Sequence, residues 1–120
     1  PFIHSDDIAD VSVAAMTKSQ YAGQSVPISG PDALSFADMT AIVGAVIGRE
    51  LRFESLGDDD ERRQQSAWGS PQPLIEARLS IFRAMREGRL AAVTKNVATI
   101  VGREPISFVQ WAQQNAAAFR

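Results

Sequence analysis

Apolar residues along this chain recur at helical spacing in some stretches and alternate in others. Ser5-Asp6-Asp7 followed by Ile8 has the form of a helix start, with a capping group and acids near the positive end of the helix dipole. Ile8, Val11 and Ala15 then form one stripe, with Met16 beside it, and Gly23 is the expected stop. Ser25–Ser29 reads as a short strand. Pro27 cannot donate to a ladder, which places that strand at an edge or begins it near the proline. Gly30-Pro31-Asp32 breaks it. Ser35-Phe36-Ala37-Asp38 resembles a capping box, and Phe36, Met39, Ile42, Val43, Val46 and Ile47 make one apolar helical face before Gly48. Leu51–Leu56 alternates apolar and polar, the period of a half-buried strand.

The second half reads as helical throughout. Asp58 to Arg62 and Asp59 to Arg63 are each four apart with the acid first, the favourable order on a helix. Trp68–Pro73 is a break. A long helix is predicted from Leu74 to Glu87, with Ile75, Leu79, Phe82 and Met85 inward and Gly88 ending it. Thr94 is the expected cap of a short helix carrying Val97, Ile100 and Val101, closed by Gly102. After the Pro105-Ile106 link, Ser107–Gln110 is a capping box opening a last helix with Trp111, Ala112 and Phe119. Gly-Arg-Glu occurs at residues 48–50 and 102–104, each after an apolar helical turn. A shared way of ending a helix accounts for this better than a duplicated module.

The predicted order is helix, strand, helix, strand, then four helices. The fold class expected for the chain is an α-rich α+β fragment with about two short strands and five to six helices. Two strands make a poor sheet alone, and an open edge calls for a larger sheet outside the chain. The run Pro1-Phe2-Ile3-His4 is apolar and strand-like from its first residue, which reads as a cut through an element.

Composition narrows the function classes. The 120 residues suffice for one modest domain, and 45% hydrophobic with 22% charged residues argue against disorder. A net charge of −2 sets up no field for nucleic acid or an anionic membrane. Neither a signal peptide nor a run approaching the roughly 20 apolar residues of a membrane span is visible. The absence of cysteine removes disulfides and thiolate chemistry and fits a cytoplasmic location.

Each reactive constellation fails in turn. With one histidine and no cysteine a zinc site is not built, and the acids at residues 58–61 lack the spacing of a calcium loop, so no metal is expected. His4, Ser5 and Asp7 are neighbours in sequence, whereas a triad is a geometry in space. There is no G-x-G-x-x-G and no phosphate-binding loop. The Tyr-x-x-x-Lys pair of many short-chain dehydrogenases is missing, since Ser25 stands four residues after Tyr21. Gly44 and Gly48 read as close packing or a helix end, and Trp68 and Trp111 as packing aromatics. The residues alone therefore describe a chain without a self-contained active site, and no catalytic residue is named.

Two segments are more specific. Pro1–Val11, PFIHSDDIADV, is similar to the "PFIHVDDIADV" segment of NmrA-like and related atypical short-chain dehydrogenase/reductases. Ile28–Phe36, ISGPDALSF, resembles their "LTGPEALSF". The order continues with a helix ending in Gly-Arg, a segment like Leu51–Glu54, then Val101–Pro105 and Ser107–Ala112, so that the resemblance covers nearly the whole chain.

This resemblance implies an α/β parent with a Rossmann-type sheet that binds NAD or NADP through an N-terminal glycine-rich turn. Residues 1–120 would form a single C-terminal substrate-cap segment, with the nucleotide-binding part outside it. No cofactor is expected on this chain alone. The resemblance makes Phe2 and His4 candidate lining residues near the nicotinamide end of the cleft, with a hydrogen-bonded structural histidine as the alternative for His4. Gly30 and Pro31 match the strand-end turn, Trp68 falls on the cap, and Asp7 falls where the family fixes a helix start. Three readings follow: the cap of a reductase acting on a small molecule such as a quinone, a non-catalytic nucleotide sensor, or a stand-alone interaction domain. Homo-oligomers through the open strand edge are expected, and neither nucleic acid nor membrane is an expected partner.

Overall fold

His4, not Ser5, starts the first helix. Its Nδ1 accepts from the Asp6 N–H at 3.1 Å, so the imidazole does the work expected of the serine hydroxyl. The structure, a computed structural model, describes all 120 residues. Six α-helices follow in order: α1 (Ser5–Thr17), α2 (Phe36–Ile47), α3 (Asp58–Ala67), α4 (Gln72–Arg86), α5 (Asn96–Val101) and α6 (Phe108–Gln114). Single 3₁₀ turns follow α1, at Ser19–Tyr21, and α6, at Ala116–Phe119. The chain divides into two compact units: residues 1–52 with 92–120, and residues 53–91.

No strand forms, which corrects the expectation of two. A ladder needs a partner, and the two expected strands do not supply one for each other. Around Ser25–Ser29 the polar groups are claimed by the start of α5. Pro27 O accepts from Asn96 Nδ2 at 2.6 Å, and Ser29 Oγ accepts from the Thr94 N–H at 2.8 Å. Thr94 is thereby drawn away from the capping role expected of it, and Lys95 precedes α5 without a side-chain cap. Along Leu51–Leu56 the alternation places Leu51, Phe53 and Leu56 in solvent instead of on a sheet. Without a strand there is no open ladder edge through which oligomers were expected to form.

The first unit is assembled from both ends of the chain. Val11 and Ala14 of α1 meet Val97 and Ile100 of α5, with Ile3, Tyr21, Val26, Ile28 and Val101 packed around them. The stripe expected on α1 is rotated: Ile8, Ala15 and Met16 face outward. What sets that rotation is Asp7, which is fully buried. Its Oδ1 accepts from Arg103 Nη1 at 2.6 Å and its Oδ2 from the Ile106 N–H at 2.8 Å. Arg103 Nη2 also donates to Asp10 Oδ2 at 2.6 Å. These two carboxylates, Asp10 first, hold the Arg103 guanidinium above its ordinary pKa.

The capping boxes at Ser35–Asp38 and Ser107–Gln110 form as read, and the Ser35 hydrogen bonds keep the Asp38 carboxyl below its ordinary pKa. Both Gly-Arg-Glu copies end a helix: Gly48 at φ 68° and Gly102 at φ 81°. Gly44 permits close packing, because a Cβ there would stand 2.7 Å from the Arg49 carbonyl oxygen. α2 packs on α6 and on the turn after it, where Trp111 stacks on Phe108 at 5.2 Å and meets the edge of Phe119 at 5.9 Å.

The second unit is a helical hairpin of α3 and α4, with Ile75, Leu79 and Ala84 buried. Its charge run does not pair as expected from spacing. Arg62 reaches across to Glu76, Nε to Oε1 at 2.7 Å, and back to Asp59 at 2.8 Å, while Arg63 pairs with Asp60. Asp58 is held by Arg83 at 2.7 Å and Arg86 at 2.8 Å from α4. Local pairs form at i,i+3 instead of i,i+4, and partners on α4 replace the one expected for Asp58. Buried Gln65 is satisfied at both ends, by Glu61 and Arg78.

Arg83, then Arg86, lower the pKa of Asp58, and Arg62 lowers that of Glu76. A depressed carboxyl stabilises the fold fully above its unfolded value and loses that contribution as pH falls through the folded value. The hairpin should therefore hold its helicity at neutral pH and lose stability as pH drops below the ordinary values of 4.5 for Glu76 and 3.8 for Asp58. Circular dichroism of acid titrations checks this, and Asp58→Asn should flatten the acid limb.

Candidate functional site

Four of the five residues singled out from the sequence share the first unit. Gly30 is buried with its backbone directly against Phe2, and a Cβ on it would lie 1.9 Å from the Phe2 carbonyl oxygen. Glycine is required here by this close approach of two backbones. Pro31 follows, half-buried. Ser29, buried beside Gly30, donates its hydroxyl to the Gly30 carbonyl at 2.9 Å while accepting from Thr94, which anchors the turn to the start of α5. The Phe2 ring is 50% exposed and meets Phe36, at the start of α2, with centroids 5.9 Å apart. Phe36 belongs to this surface, and sequence reading used it only as a core residue.

His4 lies two residues from Phe2 with a largely buried side chain. With Nδ1 accepting from Asp6, the neutral ring carries its proton on Nε2. The histidine thus has a structural task as a cap, and one ring nitrogen left as a donor. Trp68 ends α3 in the second unit and is 70% exposed.

A shallow open groove of about 500 Å³ also runs along the first unit, lined by Asp6, Asp10, Arg103, Glu104 and Gln110 among others. Its one cation, Arg103, is already committed to Asp7 and Asp10. Sequence reading placed Arg103 only in a helix-ending motif. The pairing of an acid-rich α1 with the Gly-Arg-Glu copy after α5 was the signal that could have found it. No group of three or more His, Asp or Glu side chains is placed to hold a metal ion.

A dinucleotide phosphate cradle would have to form at one of the helix starts. Such a cradle needs free N–H groups at a helix start. The starts of α1, α2 and α6 are occupied by their own caps His4, Ser35 and Ser107. α3 opens with four consecutive acids, α4 has a proline in its first turn, and α5, six residues long, starts after Lys95 with no side-chain cap.

Gly30→Ala should cost about 3 kcal/mol or more, since the clash is with backbone and cannot be relieved by a rotamer. Gly57→Ala, where a Cβ meets nothing within 4 Å, should change stability by less than about 1 kcal/mol. Urea unfolding of the two variants measures the difference.

No protein-family model matches the chain. Among curated proteins it is 38% identical over 113 residues to the (4-alkanoyl-5-oxo-2,5-dihydrofuran-3-yl)methyl phosphate reductase of Streptomyces griseus, covering 94% of this chain and 40% of that protein. It is 32% identical over 118 residues to the NAD(P)H azoreductase of Xenophilus azovorans, covering 98% and 41%. It is 26% identical over 113 residues to the prestalk A differentiation protein A of Dictyostelium discoideum, covering 94% and 38%. The chain thus spans about two fifths of the length of the curated relatives it matches. These similarities bear out the resemblance read from its motifs: along nearly its whole length the chain is similar to one segment of proteins named as oxidoreductases, an NAD(P)H azoreductase among them.

Proposed function

We propose that this chain is the C-terminal substrate-cap part of an NmrA-like, NAD(P)H-dependent oxidoreductase that reduces a small electrophile such as a quinone or azo compound. The observation that carries this reading is similarity along 94–98% of the chain to two proteins named as reductases. The site geometry supports it. Phe2 and Phe36 form a partly exposed aromatic surface beside a turn pinned by Gly30 and Ser29. Such a surface suits a flat, conjugated ring. The nicotinamide supplies the hydride, and the protein orients the acceptor against it. Within the cap, Phe2 and Pro31 provide apolar wall, and His4 is held so that Nε2 is its donor. In this reading the phosphates of the cofactor are held outside this segment, which contains no glycine-rich turn to cradle them.

A second reading keeps the nucleotide and drops the chemistry: a regulatory protein that binds NAD(P) to sense it. The similarity to a differentiation protein favours it.

One assay separates them. The full-length protein carrying this chain should oxidise NADPH or NADH when a quinone or azo acceptor is added, followed by nicotinamide absorbance. Phe2→Ala should raise KM for the acceptor by roughly tenfold while sparing cofactor affinity. The 120-residue chain alone should bind neither nucleotide in titration calorimetry. Cofactor binding without turnover of any acceptor supports the sensor, and micromolar nucleotide binding by the chain alone refutes the cap.

A further inference from the structure

Helix α1 is apolar on both sides. Its inner side carries Val11 and Ala14 into the core. Its outer side carries Ile8, Ala9, Ser12, Val13, Ala15 and Met16, all exposed, over roughly 160° of the helix circumference at 100° per residue. Val13 is 55% exposed and Met16 is 78% exposed. No charged side chain falls within that arc, since Asp6, Asp7 and Asp10 lie on the rest of the circumference. The Ser12 hydroxyl within the arc is turned onto the helix itself, donating to Ile8 O at 2.7 Å, and Thr17 Oγ1 beside the arc likewise donates to Val13 O at 2.7 Å. The polar side chains of a surface helix ordinarily fill the side opposite its core face, and on α1 the exposed charged ones are confined to the narrow strip of Asp6 and Asp10. Hydroxyls satisfied by their own backbone are the arrangement that burial demands.

We infer that the outer face of α1 is an internal packing surface, covered by the part of the full-length oxidoreductase that lies outside this chain. This rests on the reading of the chain as a segment of a larger protein. Two observations select that occupant. The relatives extend to about two and a half times the matched length, which leaves some three fifths of each protein to supply a partner layer. The face itself carries no charged side chain, the apolar character of obligate contacts, with Asp6 and Asp10 confined to one edge of it. Ala9, Ser12 and Ala15 are small, so a flat partner can seat close to the helix axis.

Methionine oxidation reads the face directly, because Met16 lies at its centre, with Met39 and Met85 as half-buried references. The full-length protein is exposed to hydrogen peroxide, native and in urea, and each methionine followed by peptide mass spectrometry. Met16 should be protected in the native protein by about tenfold or more relative to urea. Equal rates in the two states overturn the inference. So does protection that appears only as concentration rises, which assigns the face to a second copy, and so does a gene product that ends with these 120 residues. The readout is independent of turnover. Protection of Met16 without NAD(P)H oxidation refutes the oxidoreductase reading alone, and turnover with a freely oxidised Met16 refutes the docking alone.

Discussion

A carboxylate with no exposure to water holds the first unit together. Burying Asp7 is costly unless both oxygens are matched, and they are, one by Arg103 and one by the Ile106 N–H. The contact spans 96 and 99 residues of sequence. It bridges the two stretches, residues 1–52 and 92–120, between which the hairpin unit is inserted. Closing so long a loop is entropically unfavourable, so the closure needs directional contacts in addition to apolar ones. Ser29 to Thr94 and Pro27 to Asn96 supply two more across the same seam. Fixing Asp7 inward also fixes the rotation of α1, which turns Val11 and Ala14 to the core and leaves Ile8, Val13 and Met16 outward.

That rotation explains where sequence reading succeeded and where it failed. The capping boxes at Ser35 and Ser107 and the glycine stops at Gly48 and Gly102 are local devices, decided within four or five residues, and they were legible. The core choices of Val97, Ile100, Ile75 and Leu79 were legible too, because one face of each helix was clearly more apolar. α1 offered two apolar faces, and periodicity cannot rank them. Only the long-range partner of Asp7 does that. Ser5 lost the cap to His4 for a related reason: imidazole Nδ1 is an acceptor as good as a hydroxyl, and cap statistics favour serine without excluding it.

The two expected strands failed for a different reason. Alternation and β-branched content describe a chain suited to a ladder, but a ladder is made by neighbours. The Ser25–Ser29 segment spends its polar groups on the start of α5 instead, and Leu51–Leu56 leaves its apolar side chains in water. The same imbalance runs through the whole chain. Its composition is 45% hydrophobic, yet only nine apolar residues are buried. The candidate site shows it in miniature, with a backbone contact at Gly30 and Phe2 too close for any side chain and an aromatic pair left half in solvent. Its anchoring was invisible to spacing, since Phe2 meets Gly30 and Phe36 only once the chain between them folds back. The likeness to oxidoreductases came from motif order, which carries information that packing alone does not.

The Ile106 amide tests the central claim most directly. It lies in an irregular link, outside any helix, and its one partner is the buried Asp7 carboxylate. Hydrogen exchange followed by NMR should find it as slow as the helical amides of Ile100 and Val101, opening only when the unit unfolds. Fast exchange at Ile106 while those helical amides stay protected would show that the carboxylate does not hold the link, and that something else sets the rotation of α1.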